Sequence, residues 1–80
     1  MATRVSVERM EGRPAWEVRA GGERVGVVFR QGREFRAIRE GSGSPLPGAF
    51  SSRESAAKAV ARAAGHRDLD DRVFDLSPPS

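Results

Sequence analysis

The sequence predicts an α+β fold, an antiparallel meander of three to four strands packed on one C-terminal α-helix. Three observations predict it. Apolar and polar residues alternate with period two through four short runs in the first half of the chain, the signature of half-buried strands. Gly21-Gly22 falls between two of these runs, where both turn residues can take positive φ. Further on, Ser51 and Glu54 stand three residues apart, ahead of an alanine-rich run that stops at Gly65.

The first run sets Val5, Val7 and Met10 against Arg4, Ser6 and Glu8. Glu11-Gly12-Arg13-Pro14 breaks it, and Trp16, Val18 and Ala20 then alternate with Glu17 and Arg19. A Gly21-Gly22 turn pairs Ala20 with Glu23, Val18 with Val25 and Trp16 with Val27, and sets Arg19 opposite Arg24. In the third run Val25, Val27 and Phe29 alternate with Arg24, Gly26, Val28 and Arg30. A three-residue turn over Gln31-Gly32-Arg33 then aligns Phe29 with Phe35 and Val27 with Ala37. Slipping that hairpin by one residue would exchange its faces, so the apolar pattern selects this register.

Gly41-Ser42-Gly43-Ser44 reads as a flexible connection, and Pro45-Leu46-Pro47 as a stiff one that donates too few hydrogen bonds for a central strand. Ser51 and Glu54 then form a capping box, Glu54 and Lys58 an i,i+4 ion pair, and Gly65 a left-handed stop, giving a helix near 51–64. Its buried stripe is Ala56, Ala57, Val60, Ala63 and Ala64. Side chains this small let the helix axis come close to the sheet, with Trp16, Phe29 and Phe35 filling the gap. Residues 1–76 form one domain in which Val73, Phe74 and Leu76 dock as a short strand or turn. Residues 77–80, Ser-Pro-Pro-Ser, fray.

Composition narrows the function. Eighty residues with 38% hydrophobic and 6% aromatic content support one small core, to which Trp16, Phe29, Phe35, Phe50 and Phe74 contribute. With no cysteine there is neither a disulfide nor a thiolate site, and the single histidine, His66, rules out a multi-histidine metal centre. No cofactor, metal or catalytic constellation is expected. His66 reads as a loop residue at the negative end of the helix. Asp68, Asp70 and Asp71 lack the glycine spacing of a calcium loop, and Gly41-Ser42-Gly43 lacks a phosphate-binding lysine. No apolar run is long enough to span a membrane, and the N-terminal residues do not resemble a signal peptide, so a cytoplasmic protein is expected.

Charge is unevenly placed. The net charge is +3, and residues 1–40 hold nine Arg against six Glu, while the last fifteen residues are acidic. In the predicted register one sheet face is open, carrying Glu17, Arg19, Arg24, Val28, Arg30, Arg36 and Ile38, with Arg33 at the hairpin tip. Arginine contacts phosphates and forks onto guanine, which is how sheet readers engage a DNA groove.

From Gly26 the chain reads Gly26-Val27, Arg30, Gly32, Phe35, Ala37-Ile38-Arg39, and later Leu46, Gly48, Phe50-Ser51, Glu54, Ala56-Ala57, Ala59 and Ala63-Ala64. Over about residues 26–64 this resembles the DNA-binding domain of the plant ethylene-response-factor (Apetala) type, which is similar in fold to integrase arm-binding domains. The resemblance implies a three-stranded sheet lying in the major groove, with Arg30, Arg36 and Arg39 at positions where the family places basic strand residues. Gly43-Ser44-Pro45 stands where the family's third strand carries its arginine and tryptophan, and an additional hairpin, 3–20, precedes the match.

Two functional expectations result. One is a small DNA-binding or accessory protein that uses Arg19, Arg24, Arg30, Arg33, Arg36 and Arg39 on double-stranded DNA. The other is a non-enzymatic protein-interaction module, of the kind an antitoxin or a phage-encoded inhibitor represents. That module would act through a sheet edge or the Val28/Ile38 patch on a partner protein or a second copy. Glu17, Glu34 and Glu40 dilute the basic face and favour the second.

Overall fold

A computed structural model describes residues 2–77. Strands β1 (Thr3–Arg9), β2 (Ala15–Ala20), β3 (Glu23–Gln31) and β4 (Glu34–Arg39) form the expected antiparallel meander. Helix α1 (Arg53–Ala63) crosses one face of the sheet, and a fifth strand, β5 (Leu69–Asp75), follows it and pairs in parallel with β1. The sheet order is β4-β3-β2-β1-β5, so the α+β class holds, with a mixed sheet and a helix that is not the last element. Leu69 and Val73 anchor β5 against the core, while Phe74 points away from it. Ser77, the last described residue, accepts a 2.7 Å hydrogen bond from Arg9 N–H; the remainder of the expected frayed tail, 78–80, lies outside the described residues. Among the described residues no helix is long and apolar enough to cross a membrane.

The Gly21-Gly22 turn forms as expected, with Ala20 opposite Glu23 and Arg19 opposite Arg24. Beyond it β3 departs from the expected register. Val25 is an extra residue, a β-bulge, and Val18 then faces Gly26 and Trp16 faces Val28. The last hairpin closes over two residues, Gly32-Arg33, rather than three, so that Val28 pairs with Ala37 and Arg30 with Phe35. Val28 is therefore fully buried beneath the helix, whereas Val27 and Phe29 lie on the opposite face. The reason is steric. A Cβ on Gly26 would sit 2.7 Å from Val60 Cγ1 and 2.2 Å from the Ile38 carbonyl oxygen. The helix presses here on bare backbone, and only the bulged register offers it a glycine.

The largest fully buried side chains are valines, Val5, Val7, Val18, Val25, Val28 and Val60, packed with Ala20, Ala37, Ala56, Ala57 and Ala61. Close helix–sheet approach thus leaves no central space for aromatic rings. Trp16, Phe35 and Phe50 pack at the margin of the core instead, with Trp16 and Phe35 tilted at 58° and 6.0 Å apart. Phe29 and Phe74, expected in the core, are outside it.

The helix also differs in detail. Ser52, not Ser51, is the N-cap, and its hydroxyl accepts from Ser55 N–H at 3.1 Å, so the Ser51–Glu54 capping box does not form. Ala61 replaces Ala63 and Ala64 in the buried stripe. Gly65 N–H to Arg62 oxygen (3.0 Å) and His66 N–H to Ala61 oxygen (3.1 Å) close the C-terminus as a Schellman motif, with Gly65 at φ +103°.

Candidate functional site

With α1 on one face, the other face of the five-stranded sheet is uncovered among the described residues. Alternation places on it Arg4, Ser6 and Glu8 from β1, Ala15, Glu17 and Arg19 from β2, and Phe74 from β5. From β3 come Arg24, Val27 and Phe29, and from β4 come Glu34, Arg36 and Ile38. Cross-strand pairing brings the apolar members together: Ala15 faces Phe29, and Val27 faces Ile38. They floor a groove of about 570 Å³ that is walled by Met10, Arg13 and Pro14 at one end and by Glu40, Gly41 and Ser42 at the other. Every one of these floor residues is at least partly shielded by its neighbours, so the surface is a shallow apolar trough and not an exposed ridge.

The face is less basic than its arginine count implies. Arg19 Nη2 lies 2.6 Å from Glu17 Oε1, in a contact that is electrostatic rather than a well-aligned hydrogen bond. Arg24 reaches Glu17 at 3.6 Å and Glu40 at 3.0 Å, so four charges of alternating sign run beside the apolar floor. Arg4 and Arg72 both stack on Phe74, at 4.4 and 5.3 Å from the ring centroid.

The six arginines singled out by sequence divide between locations. Arg19, Arg24 and Arg36 lie on the open face, as expected. Arg33 sits in the β3–β4 turn. Arg30 and Arg39 do not join them: the bulge turns Arg30 toward the helix side, and Arg39 shares that side with Phe35 and Ala37 by alternation along β4. Arg30 stands across from Phe35 near the start of α1, and Arg39 donates to the Ala63 carbonyl oxygen at 3.2 Å. Val28, expected on the open face, is buried. Arg36 donates to Gln31 Oε1 at 3.2 Å and to the Gly48 carbonyl oxygen at 3.1 Å; both acceptors are neutral and leave its charge uncompensated.

Sequence reasoning missed Val27, Phe29 and the Met10–Pro14 wall. The signal was present in Val27-Val28-Phe29, three consecutive apolar residues of which a pleated strand can bury only some on one face. The acidic turn also does structural work: Asp70 accepts from Arg72 N–H at 3.2 Å, within the irregularity where β5 departs from β1. The Asp75 carboxyl is held below its ordinary value of 3.8, first by hydrogen bonds from Ser77 and then by the nearby Arg53 guanidinium. Among the described residues no three His, Asp or Glu side chains come together to hold a metal ion.

Comparison with protein families, with curated proteins and with solved structures finds nothing that matches this chain.

Proposed function

We propose that the chain is a non-enzymatic protein-interaction module that binds through the open face of its sheet. One observation carries this reading: a contiguous apolar floor, Ala15, Val27, Phe29 and Ile38, lies on the face that the chain's own helix leaves uncovered. Apolar surface gathered into a walled trough costs stability unless something covers it, and such patches mark interaction sites. The neighbouring arginines Arg19 and Arg24 already have carboxylate partners, and displacing Glu17 and Glu40 would offset much of what a phosphate contact contributes.

A photo-crosslinking residue at Val27 tests the proposal, with the same residue at the exposed Arg62 on α1 as control. The expected result is an adduct with another polypeptide from position 27 only, lost when Ile38→Asp is added. Equal labelling from both positions, or none from Val27, would refute it. A second reading has its own support. Arg4 and Arg72 meet no carboxylate among the described residues and share the Phe74 ring, a pairing of cation and aromatic that suits nucleic acid.

A further inference from the structure

We infer that the occupant of the groove is an amphipathic helix with acidic flanks, supplied by another protein. The inference rests on the interaction-module reading and names the partner's chemistry. Shape excludes the alternatives first. A small ligand is held by burying most of its surface in a deep pocket, and this groove is a trough open along its length. An extended peptide would have to add to a sheet edge, yet the β4 edge beside the groove is already occupied. Phe50 N–H and oxygen pair with Phe35, Leu46 N–H donates to the Ala37 oxygen, and Ser42 N–H donates to the Arg39 oxygen. A segment lying on the face, with no edge to join, has to satisfy its own main-chain hydrogen bonds. A helix does so.

Charge sets the flanks. Four arginines and one glutamate line the trough. Arg24 is balanced by Glu17 and Glu40, and those two carboxylates are thereby occupied. Arg13 has no carboxylate within ion-pair distance among the described residues. Arg30 and Arg39 line the trough through their strands while their guanidinium groups turn toward the helix side and donate to main-chain oxygens, and Arg36 on the adjacent strand donates to neutral acceptors. Arg13 and Arg36 therefore keep positive charge beside the apolar floor that no ion pair among the described residues cancels, within a Debye length of anything seated there. A second copy of the chain would bring the same positive surround against itself, whereas leucine-type anchors flanked by Glu or Asp match both floor and surround.

Two synthetic helices supply the test. Each has about 18 residues, spanning about 27 Å at 1.5 Å per residue, against a molecular width of 30 Å. They share one leucine stripe at i, i+3, i+4 and i+7 and differ only in flanks of Glu or of Lys. Amide chemical-shift mapping on the full chain locates binding, and fluorescence anisotropy measures it. The expected result is that the Glu helix binds with shifts centred on Ala15, Val27, Phe29 and Ile38, and that the Lys helix is at least about tenfold weaker. Arg13→Glu with Arg36→Glu should reverse that preference while the amide spectrum stays folded. Equal binding of both helices, preference for the Lys helix, or shifts away from the face would overturn the inference. So would concentration-dependent shifts of the face without peptide, which would assign it to a second copy, or displacement of the Glu helix by a DNA duplex. Should neither helix bind while Val27 still crosslinks to another polypeptide, the helical acidic partner fails and the interaction module stands. Loss of both signals removes both.

Discussion

Gly26 is the residue on which the approach of helix to sheet depends. Its backbone faces Val60 on one side and the Ile38 carbonyl on the other, and a methyl group there would lie 2.7 and 2.2 Å from them. The carbonyl belongs to the β3–β4 ladder and cannot swing aside, so relief has to come from lifting the helix or breaking the strand pair. Gly26→Ala should accordingly lower stability by about 1–3 kcal/mol as an overpacking change. Gly43→Ala is the control, since a Cβ there meets nothing within 4 Å. Urea unfolding of the two variants measures the difference, and equal midpoints would show that the helix does not rest on Gly26.

At the scale of elements the decisive feature is the bulge at Val25, because it determines which half of Val27-Val28-Phe29 is core and which is surface. A matched pair of substitutions reads this directly. Val28→Thr places a hydroxyl in the closed space beneath α1 and should cost about 1–3 kcal/mol. Val27→Thr, on the open face, should stay within about 0.5 kcal/mol. The opposite ranking in chemical denaturation would restore the straight register. The strands, the Gly21-Gly22 turn and the helix were legible in the sequence because each is encoded locally, by alternation, by paired glycines and by a serine ahead of alanines. The register of β3 was not, since local alternation selects Val25, Val27 and Phe29 as the buried set, whereas beyond the bulge the structure turns Gly26 and Val28 to the helix. What separates them is a tertiary contact, Val60 on Gly26, that no window of the sequence contains. The candidate site inherited that error, which exchanged Val28 for Val27 and Phe29 and moved Arg30 across the sheet, while Arg39 lies on the side of Phe35 and Ala37 in either register. β5 was half legible: Val73 and Phe74 announced an apolar segment, but its parallel pairing with β1 depends on where α1 delivers the chain.

Taken as a whole, the molecule spreads its excess positive charge over both faces. Arg19 and Arg24 are tied to Glu17 and Glu40 on the open face, Arg30 and Arg39 lie toward the helix side, and Arg53 pairs with Glu54 and Asp75. One DNA duplex can lie against only one of these surfaces. Six arginines acting together on phosphates would give a log–log salt slope of about −5, at about 0.9 per contact. The observed placement leaves too few guanidiniums on any one face, free of carboxylates, to reach that value. A salt titration against duplex DNA from about 50 mM upward, across the range where screening changes most, should therefore show a slope no steeper than about −4, the share of the open-face arginines Arg4, Arg13, Arg36 and Arg72 that no carboxylate meets. The double variant Arg30→Ala, Arg36→Ala separates the readings further. Because its two sites lie on opposite sides of the sheet, it should flatten whatever slope exists by no more than about one, the share of a single contact. A wild-type slope near −5 that loses two units in that variant would mean that both arginines touch DNA at once. The open face would then belong to nucleic acid and not to a partner helix.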